Sequence, residues 1–201
     1  MQTKPVIYQL LPRLFTNYCQ NPVVNGTLEQ NRSGKLNDIN DSILKEIKTM
    51  GFTHVWYTGI IEHAHDADYT AYGIPRHNPH VIKGHAGSPY AITDYYDVDP
   101  DLAVDVPHRM DEFVSLVKRT HRAGMKVLID FVPNHVGRQY HSDVKPAGIE
   151  DLGEHDNKEM FFSPQNNFYY IPRQLFAPHV DMGEGPDAYV EFPARASGND
   201  C

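Results

Sequence analysis

Cysteine is scarce in this chain of 201 residues, and long apolar runs and an excess of basic residues are absent from its sequence. Its 2 cysteines, Cys19 and Cys201, are too few for a disulfide framework or a cysteine-ligated zinc cluster. No apolar run is long enough to cross a bilayer, so we expect no membrane partner. The net charge of −8 argues against a nucleic-acid partner, which would require a basic face.

Three short runs of aliphatic and β-branched residues predict parallel strands, at 6–11, 54–58 and 126–132. The third run shows no polar alternation, which is typical of a strand buried on both faces. The first two runs are each followed by a long polar stretch and then by a helical pattern. Strands that alternate with helices in this way predict an α/β fold with crossover connections.

The two helical patterns carry recognisable ends. The first is capped by Asn40 or Asp41 and closed by Gly51, and the second opens near Pro107 and stops at Gly124. The apolar residues expected on their buried faces are Ile43, Leu44, Ile47 and Met50 in the first helix, and Met110, Phe113, Val114 and Val117 in the second.

The long loops all follow strands and precede helices, which places them on one rim of the sheet. That layout predicts the N-terminal part of a (β/α)8 TIM barrel, whose functional groups lie on the strand-to-helix loops. A complete barrel takes about 250 residues, so three strands predict a fragment. We assign residues 1–135 to this incomplete barrel and residues 136–201 to a truncated, β-rich subdomain with strand-like pieces at 168–171 and 188–192.

The most informative motif is the junction after the third strand, where Asp130, Asn134 and His135 follow each other closely. Ligands of parallel α/β folds bind at the carboxyl ends of the strands. A carboxylate, an amide and an imidazole at that position therefore predict a binding or catalytic site.

With these residues identified, the chain resembles the N-terminal part of the α-amylase family of glycoside hydrolases, family 13. The resemblance rests on four segments in the family's order, namely residues 7–15, 34–56, 90–96 and 130–135. The inserted stretch after the third strand is similar to the family's subdomain B.

The resemblance implies roles for individual residues. Tyr90 would stack on a sugar ring, and His135 would hydrogen-bond the hydroxyls of that sugar. Asp130 would orient neighbouring polar groups, while Asn134 would be a ligand of a structural Ca²⁺ ion. The substrate would be an α-glucan or a small α-glucoside.

The resemblance also implies that the catalytic groups lie elsewhere, on the fourth, fifth and seventh strands of the barrel. A retaining glycosidase needs two carboxylates about 5 Å apart, and Asp130 alone cannot supply both. We therefore expect this chain by itself to be inactive and to contribute part of the glycone pocket of a complete enzyme. Its third strand would present an open edge, which favours self-association.

Two alternatives stay open at the level of sequence. His63 and His65 form a His-x-His pair that could bind a divalent metal in an amidohydrolase-like barrel. The second alternative is a non-catalytic carbohydrate-binding piece. The N-terminal residues show no signal-peptide pattern, so we expect a cytoplasmic protein, or a secreted or periplasmic one if a leader has been removed.

Overall fold

A computed structural model describes residues 4–196, and these form two compact units. The first unit contains the chain up to Glu62 together with Asp97–Phe131. The second contains His63–Tyr96 and the chain from Val132 onward. The predicted division assigns residues 63–96 to the barrel, whereas here they cluster with the later residues. A compact unit differs from a subdomain defined by barrel topology, so the division at residue 135 stays a prediction.

The first unit is built on a parallel sheet of three strands in the order β1–β2–β5. The strands are β1 (Ile7–Leu10), β2 (His54–Tyr57) and β5 (Lys126–Ile129). Helix α3 (Asp41–Thr49) connects the first two, and helix α4 (Arg109–Arg122) precedes the third. Two one-turn helices, α1 (Pro12–Phe15) and α2 (Leu28–Asn31), follow β1. The predicted alternation of strands and helices is confirmed.

Helix α3 begins and ends where the sequence predicts. The side chain of Asn40 accepts hydrogen bonds from the backbone N–H groups of Ser42 and Ile43, which satisfies the first turn. Gly51 follows with a φ of +94°, a conformation that glycine adopts without a Cβ clash. Leu44 and Ile47 are buried as predicted. Met50 is 61% exposed, so its predicted burial is wrong, because it lies beyond the last helical residue.

Helix α4 buries only part of the predicted face, since Phe113 packs against the core but two of the other predicted residues are exposed. Met110 and Val114 are 41% and 39% exposed. The buried positions are Arg109, Glu112, Leu116 and Thr120. Each of the three polar members has a hydrogen-bond partner, so these polar side chains share the buried face with Leu116.

The core of the first unit lies between the sheet and its helices. Tyr57 is fully buried, and its hydroxyl lies 2.6 Å from Thr120 Oγ1. Burial raises the pKa of Tyr57 to about 12, so the hydroxyl keeps its proton at neutral pH. The other buried members are Leu10, Leu36, Ile39, Leu44, Ile47, Val55, Ile60, Val98, Leu102, Leu116 and Met125.

Strand β5 departs from its prediction in length and burial. It ends at Ile129 rather than at residue 132, and Leu128 and Ile129 are 37% and 43% exposed. The predicted burial on both faces is wrong for this chain, because β5 is an edge strand that pairs only with β2 among the described residues. The self-association expected from this open edge stays a prediction.

The second unit contains an antiparallel pair, β6 (Tyr169–Ile171) and β7 (Ala194–Ala196). The first matches the predicted piece at 168–171. The predicted strand at 188–192 is wrong, because Tyr189 instead bonds through its backbone N–H to the carbonyl of Met182. Phe168 and Tyr170 pack with Val136 in a small core.

Strands β3 (Ile61–His63) and β4 (Ile92–Val98) pair with each other, and the chain passes from one unit to the other within both. Within residues 4–196, we find no helix with the length and hydropathy of a membrane span.

Candidate functional site

Asp130 follows β5 directly and has both carboxylate oxygens engaged. Oδ1 accepts a hydrogen bond of 2.7 Å from the indole N–H of Trp56, and Oδ2 accepts one of 3.1 Å from the backbone N–H of Gly59. These donors lie on β2 and just beyond it, so the carboxylate joins the carboxyl ends of two adjacent strands. The two hydrogen bonds fix the carboxylate at the strand ends, and the orienting role of Asp130 stays a prediction.

His135 belongs to the second unit and is half-buried. Its Nε2 atom is buried and has no hydrogen-bond partner among residues 4–196. A buried polar atom without a partner costs free energy, about 1–3 kcal/mol, unless a ligand or water satisfies it. The ring of His135 therefore has unused capacity to bind a hydroxyl group.

Tyr95 holds the loop that carries His135. Its hydroxyl donates to the backbone carbonyl of Val132 and, at 3.2 Å, to that of His135. Burial raises the pKa of Tyr95, so the hydroxyl remains a donor at neutral pH. Sequence reasoning assigned no role to Tyr95, because its partners are carbonyl groups 37 and 40 residues later.

Replacing Tyr95 with phenylalanine is expected to destabilise the protein by about 1 kcal/mol, because two loop carbonyls lose their donor. Urea unfolding of the variant and of Tyr18→Phe measures this difference. Tyr18 is 67% exposed and serves as the control, since its hydroxyl makes no hydrogen bond to another described residue. Equal stability of the two variants would show that Tyr95 does not secure the loop.

Arg138 anchors the same loop three residues after His135. Its guanidinium donates to Glu191 Oε1 at 2.8 Å and to the carbonyl of Arg195 at 3.2 Å. It also lies 3.5 Å from the centre of the Phe176 ring. The partners are 53 and 57 residues away, so no sequence pattern could indicate them.

Tyr90 and Asn134 present exposed side chains in the second unit. Tyr90 is 40% exposed, which leaves part of its ring available to a ligand. Asn134 is also exposed and makes no hydrogen bond with another described residue. The predicted stacking of Tyr90 and metal binding by Asn134 stay predictions.

His63 and His65 lie buried in the second unit among other rings. Their ring centres are 6.3 Å apart at an interplanar angle of 85°, and His65 also packs edge to face against Tyr69 and His77. Within the described part of the chain, His63 joins no group of three potential ligands close enough to share a metal ion. The metal site of the amidohydrolase-like alternative requires both residues, so the geometry gives it no support.

Comparison with known proteins identifies several relatives. The chain is 28% identical over 139 residues to a trehalose-6-phosphate hydrolase of Bacillus subtilis, covering 68% of this chain and 18% of the relative. It is 26% identical to maltase A1 of Drosophila melanogaster, covering 64% of this chain and 16% of that protein. A 1,4-α-glucan branching enzyme of Novosphingobium aromaticivorans is 28% identical, covering 65% of this chain and 15% of that enzyme. The chain thus spans less than a fifth of the length of these relatives.

A solved α-amylase structure from Lactobacillus plantarum is also similar, with a TM-score of 0.45 and 27% identity over 67% of this chain and 24% of that one. The decisive comparison is the family model for the α-amylase catalytic domain, which matches residues 9–176. This match includes the motif after the third strand and more than half of the chain. The chain therefore belongs to the α-amylase family of glycoside hydrolases, whose catalytic domain is a TIM barrel that this chain covers in part.

Proposed function

We propose that this chain is part of a glycoside hydrolase that cleaves α-glucosidic bonds, and that it supplies one wall of the glycone pocket. Family membership supports the reaction class. The observation that carries the pocket assignment is the buried Nε2 of His135, which has no partner among the described residues. The names of the relatives are consistent with α-glucosidic substrates, since they include a maltase and a glucan branching enzyme.

In this proposal each residue has a distinct task. His135 donates to or accepts from a sugar hydroxyl, and Tyr90 offers an aromatic face to the C–H groups of the ring. Asp130 is a positioning residue, because both its oxygens already bind protein donors. Residues 136–201 correspond to the family's subdomain B.

Asn134 is proposed as one ligand of a structural Ca²⁺ ion. Ca²⁺ requires about 6–8 oxygen ligands, and an amide oxygen is a suitable one. Asn134 is exposed, and no described residue contacts its side chain through a hydrogen bond, so its amide oxygen is available to such an ion. The amidohydrolase alternative is not supported, since the family match assigns the chain to a different family.

The proposal is tested with the complete protein to which this chain belongs. We expect it to hydrolyse or transglycosylate maltooligosaccharides or p-nitrophenyl α-glucoside with retention of configuration, as ¹H NMR of the first products would show. The 201-residue chain alone should show no turnover, because the resemblance to the family implies that the two carboxylates that retention requires lie on later strands of the barrel. Saturable glucan binding by the complete protein without any turnover would instead favour a non-catalytic carbohydrate-binding role.

A further inference from the structure

A cleft of about 360 Å³ lies within the first unit, in the segment that connects β1 to α3. One wall is formed by residues 16–18, and the other by Leu28, Arg32, Ser33, Lys35 and Asp38. Asp130 is not among the residues that line it. Pockets of about 300–1,000 Å³ are typical of sites for small organic molecules. The cleft is thus large enough for a small ligand that the proposed glycone pocket does not account for.

Hydrogen bonds across the cleft hold its two walls together. Nδ2 of Asn17 donates to the carbonyl of Asn31 at 3.0 Å and to that of Arg32 at 3.3 Å. The hydroxyl oxygen of Thr16, a residue that is 1% exposed, accepts a hydrogen bond of 3.0 Å from the backbone N–H of Lys35. Because the protein's own groups join the walls, the cleft is formed before any ligand arrives, which lowers the entropic cost of binding.

Arg32 has a backbone conformation that glycine adopts far more readily than any other residue. Its φ is 60° and its ψ is 179°. This region of φ and ψ is essentially restricted to glycine, because the Cβ atom of another residue clashes with the backbone. An arginine at this position therefore destabilises the fold relative to a glycine. Residues strained in this way cluster at ligand sites, where the side chain has a function.

No hydrogen bond or ion pair between the guanidinium of Arg32 and another described residue offsets this strain. Arg173 also has a positive φ, of 61°, but its side chain pairs with Glu159 at 3.4 Å and does not line the cleft. The strained backbone, the cleft and a guanidinium without a partner among residues 4–196 coincide at Arg32 alone of these two arginines. This coincidence indicates that the side chain of Arg32 serves a ligand.

The charges that line the cleft indicate the chemistry of that ligand. A guanidinium binds a carboxylate or a phosphate through two parallel hydrogen bonds. The ammonium group of Lys35 adds a second positive charge, and it donates one of its three protons to the carbonyl of Asp101 at 2.6 Å. The carboxylate of Asp38 opposes these two groups, which leaves one net positive charge.

A carboxylate matches this charge better than a phosphate does. At pH 7 a carboxylate carries one negative charge, whereas a phosphate monoester carries about 1.5–2. Tyr18 and Leu28 add an aromatic ring and an aliphatic side chain to the lining, so part of the cleft suits an apolar group.

We propose that this cleft binds a small monocarboxylate with an apolar body, and that Arg32 holds the carboxylate. The site is independent of the proposed glycosidase reaction, since neither Arg32 nor Lys35 has a role in that reaction. Its ligand would bind whether or not the complete protein cleaves α-glucosides.

Isothermal titration calorimetry of the complete protein with sodium benzoate tests the site, and benzyl alcohol is the neutral probe of similar shape. We expect saturable binding of benzoate, and binding of benzyl alcohol that is at least about tenfold weaker. Arg32→Ala and Arg32→Gly should each lower the affinity for benzoate at least about tenfold, because the charged hydrogen bonds are lost. Arg173→Gly is the matched control, and its affinity should stay within about twofold of the wild type.

Urea unfolding followed by the fluorescence of Trp56, which lies in the first unit, tests the strain at Arg32. Arg32→Gly should unfold at a higher urea concentration than Arg32→Ala, because only glycine relieves the backbone at this φ. Higher stability in Arg32→Gly, together with the loss of benzoate binding, is expected of a residue whose side chain is kept for a ligand.

Three results of the titration would overturn the site. They are the absence of saturable benzoate binding by the wild type, Arg32 variants that bind benzoate as tightly as Arg173→Gly, and equal affinities for benzoate and benzyl alcohol. Tighter binding of inorganic phosphate than of benzoate would overturn the assignment to a monocarboxylate. An Arg32→Gly variant that is no more stable than Arg32→Ala would contradict the strain that singles out Arg32. None of these measurements uses turnover, so a failure of the proposed function would leave them unchanged.

Discussion

Replacing Arg109 with alanine is expected to destabilise the first unit by about 3–5 kcal/mol, the range for breaking a buried ion pair from one side. The guanidinium of Arg109 pairs with the carboxylate of Asp97, and the two side chains are only 7% and 3% exposed. It also donates to the carbonyl of Val106 at 3.1 Å. Without the arginine, the carboxylate would remain buried with its main counter-charge removed.

Urea unfolding followed by tryptophan fluorescence measures this effect, because the chain has 1 tryptophan, Trp56, and it lies in the first unit. Arg122→Ala is the matched control on the same helix. Arg122 is 62% exposed and pairs at 3.5 Å with the exposed Asp41, so its loss should cost less than about 1 kcal/mol. Similar losses of unfolding free energy in the two variants would contradict the claim that burial makes the Arg109 ion pair more important than an exposed one.

A double replacement separates the net contribution of the ion pair to stability from the free-energy cost of leaving one charge buried and unpaired. Arg109→Met combined with Asp97→Leu removes both charges and keeps apolar volume. Such replacements are often neutral or stabilising by about 1–4 kcal/mol. We therefore expect the double variant to be more stable than Arg109→Ala, and a double variant that is less stable would refute this account.

The second large effect concerns activity. Replacing His135 with alanine in the complete protein is expected to lower kcat/KM for an α-glucoside about 100-fold, equivalent to about 2.7 kcal/mol of transition-state binding. The physical reason is that the sugar hydroxyl loses its hydrogen bond to the imidazole. The buried Nε2 atom that would make this bond has no partner among the described residues. Initial rates over a range of substrate concentrations give this value.

His155→Ala provides the control, because His155 is 68% exposed and pairs at 3.1 Å with the exposed Glu150. Its activity should stay within about twofold of the wild type, as for surface substitutions in general. His135→Gln keeps a hydrogen-bonding amide and should recover part of the loss. Unchanged kcat/KM in His135→Ala would remove His135 from the proposed pocket.

The predicted elements succeed where local patterns decide the structure. The cap at Asn40 and the stop at Gly51 both act within one helical turn, so a reader of the sequence can find them. The strand at 126–129 and the polar residues after it were found for the same reason. The burial of residues at the ends of elements was predicted less accurately. Met50 is an example, since its position one residue beyond the helix is enough to expose its side chain.

The polar residues on the buried face of α4 could not be predicted from hydrophobicity. Arg109 and Glu112 are among its most buried residues, because Asp97 and the backbone N–H groups of Val104 and Asp105 satisfy their charges. These partners lie outside the helix. A periodic pattern records which side chains are apolar and says nothing about which polar ones will find partners.

By itself, the sequence determined the family, the order of strands and helices, and the place of the polar motif after the third strand, because each depends on residues close together in the chain. The tertiary structure alone decided how that motif is held. Each contact that holds it joins residues at least 37 positions apart in the sequence. These contacts are Tyr95 with Val132, Arg138 with Glu191, and Asp130 with Trp56. Folding brings these groups within hydrogen-bond distance, and no local propensity encodes such contacts.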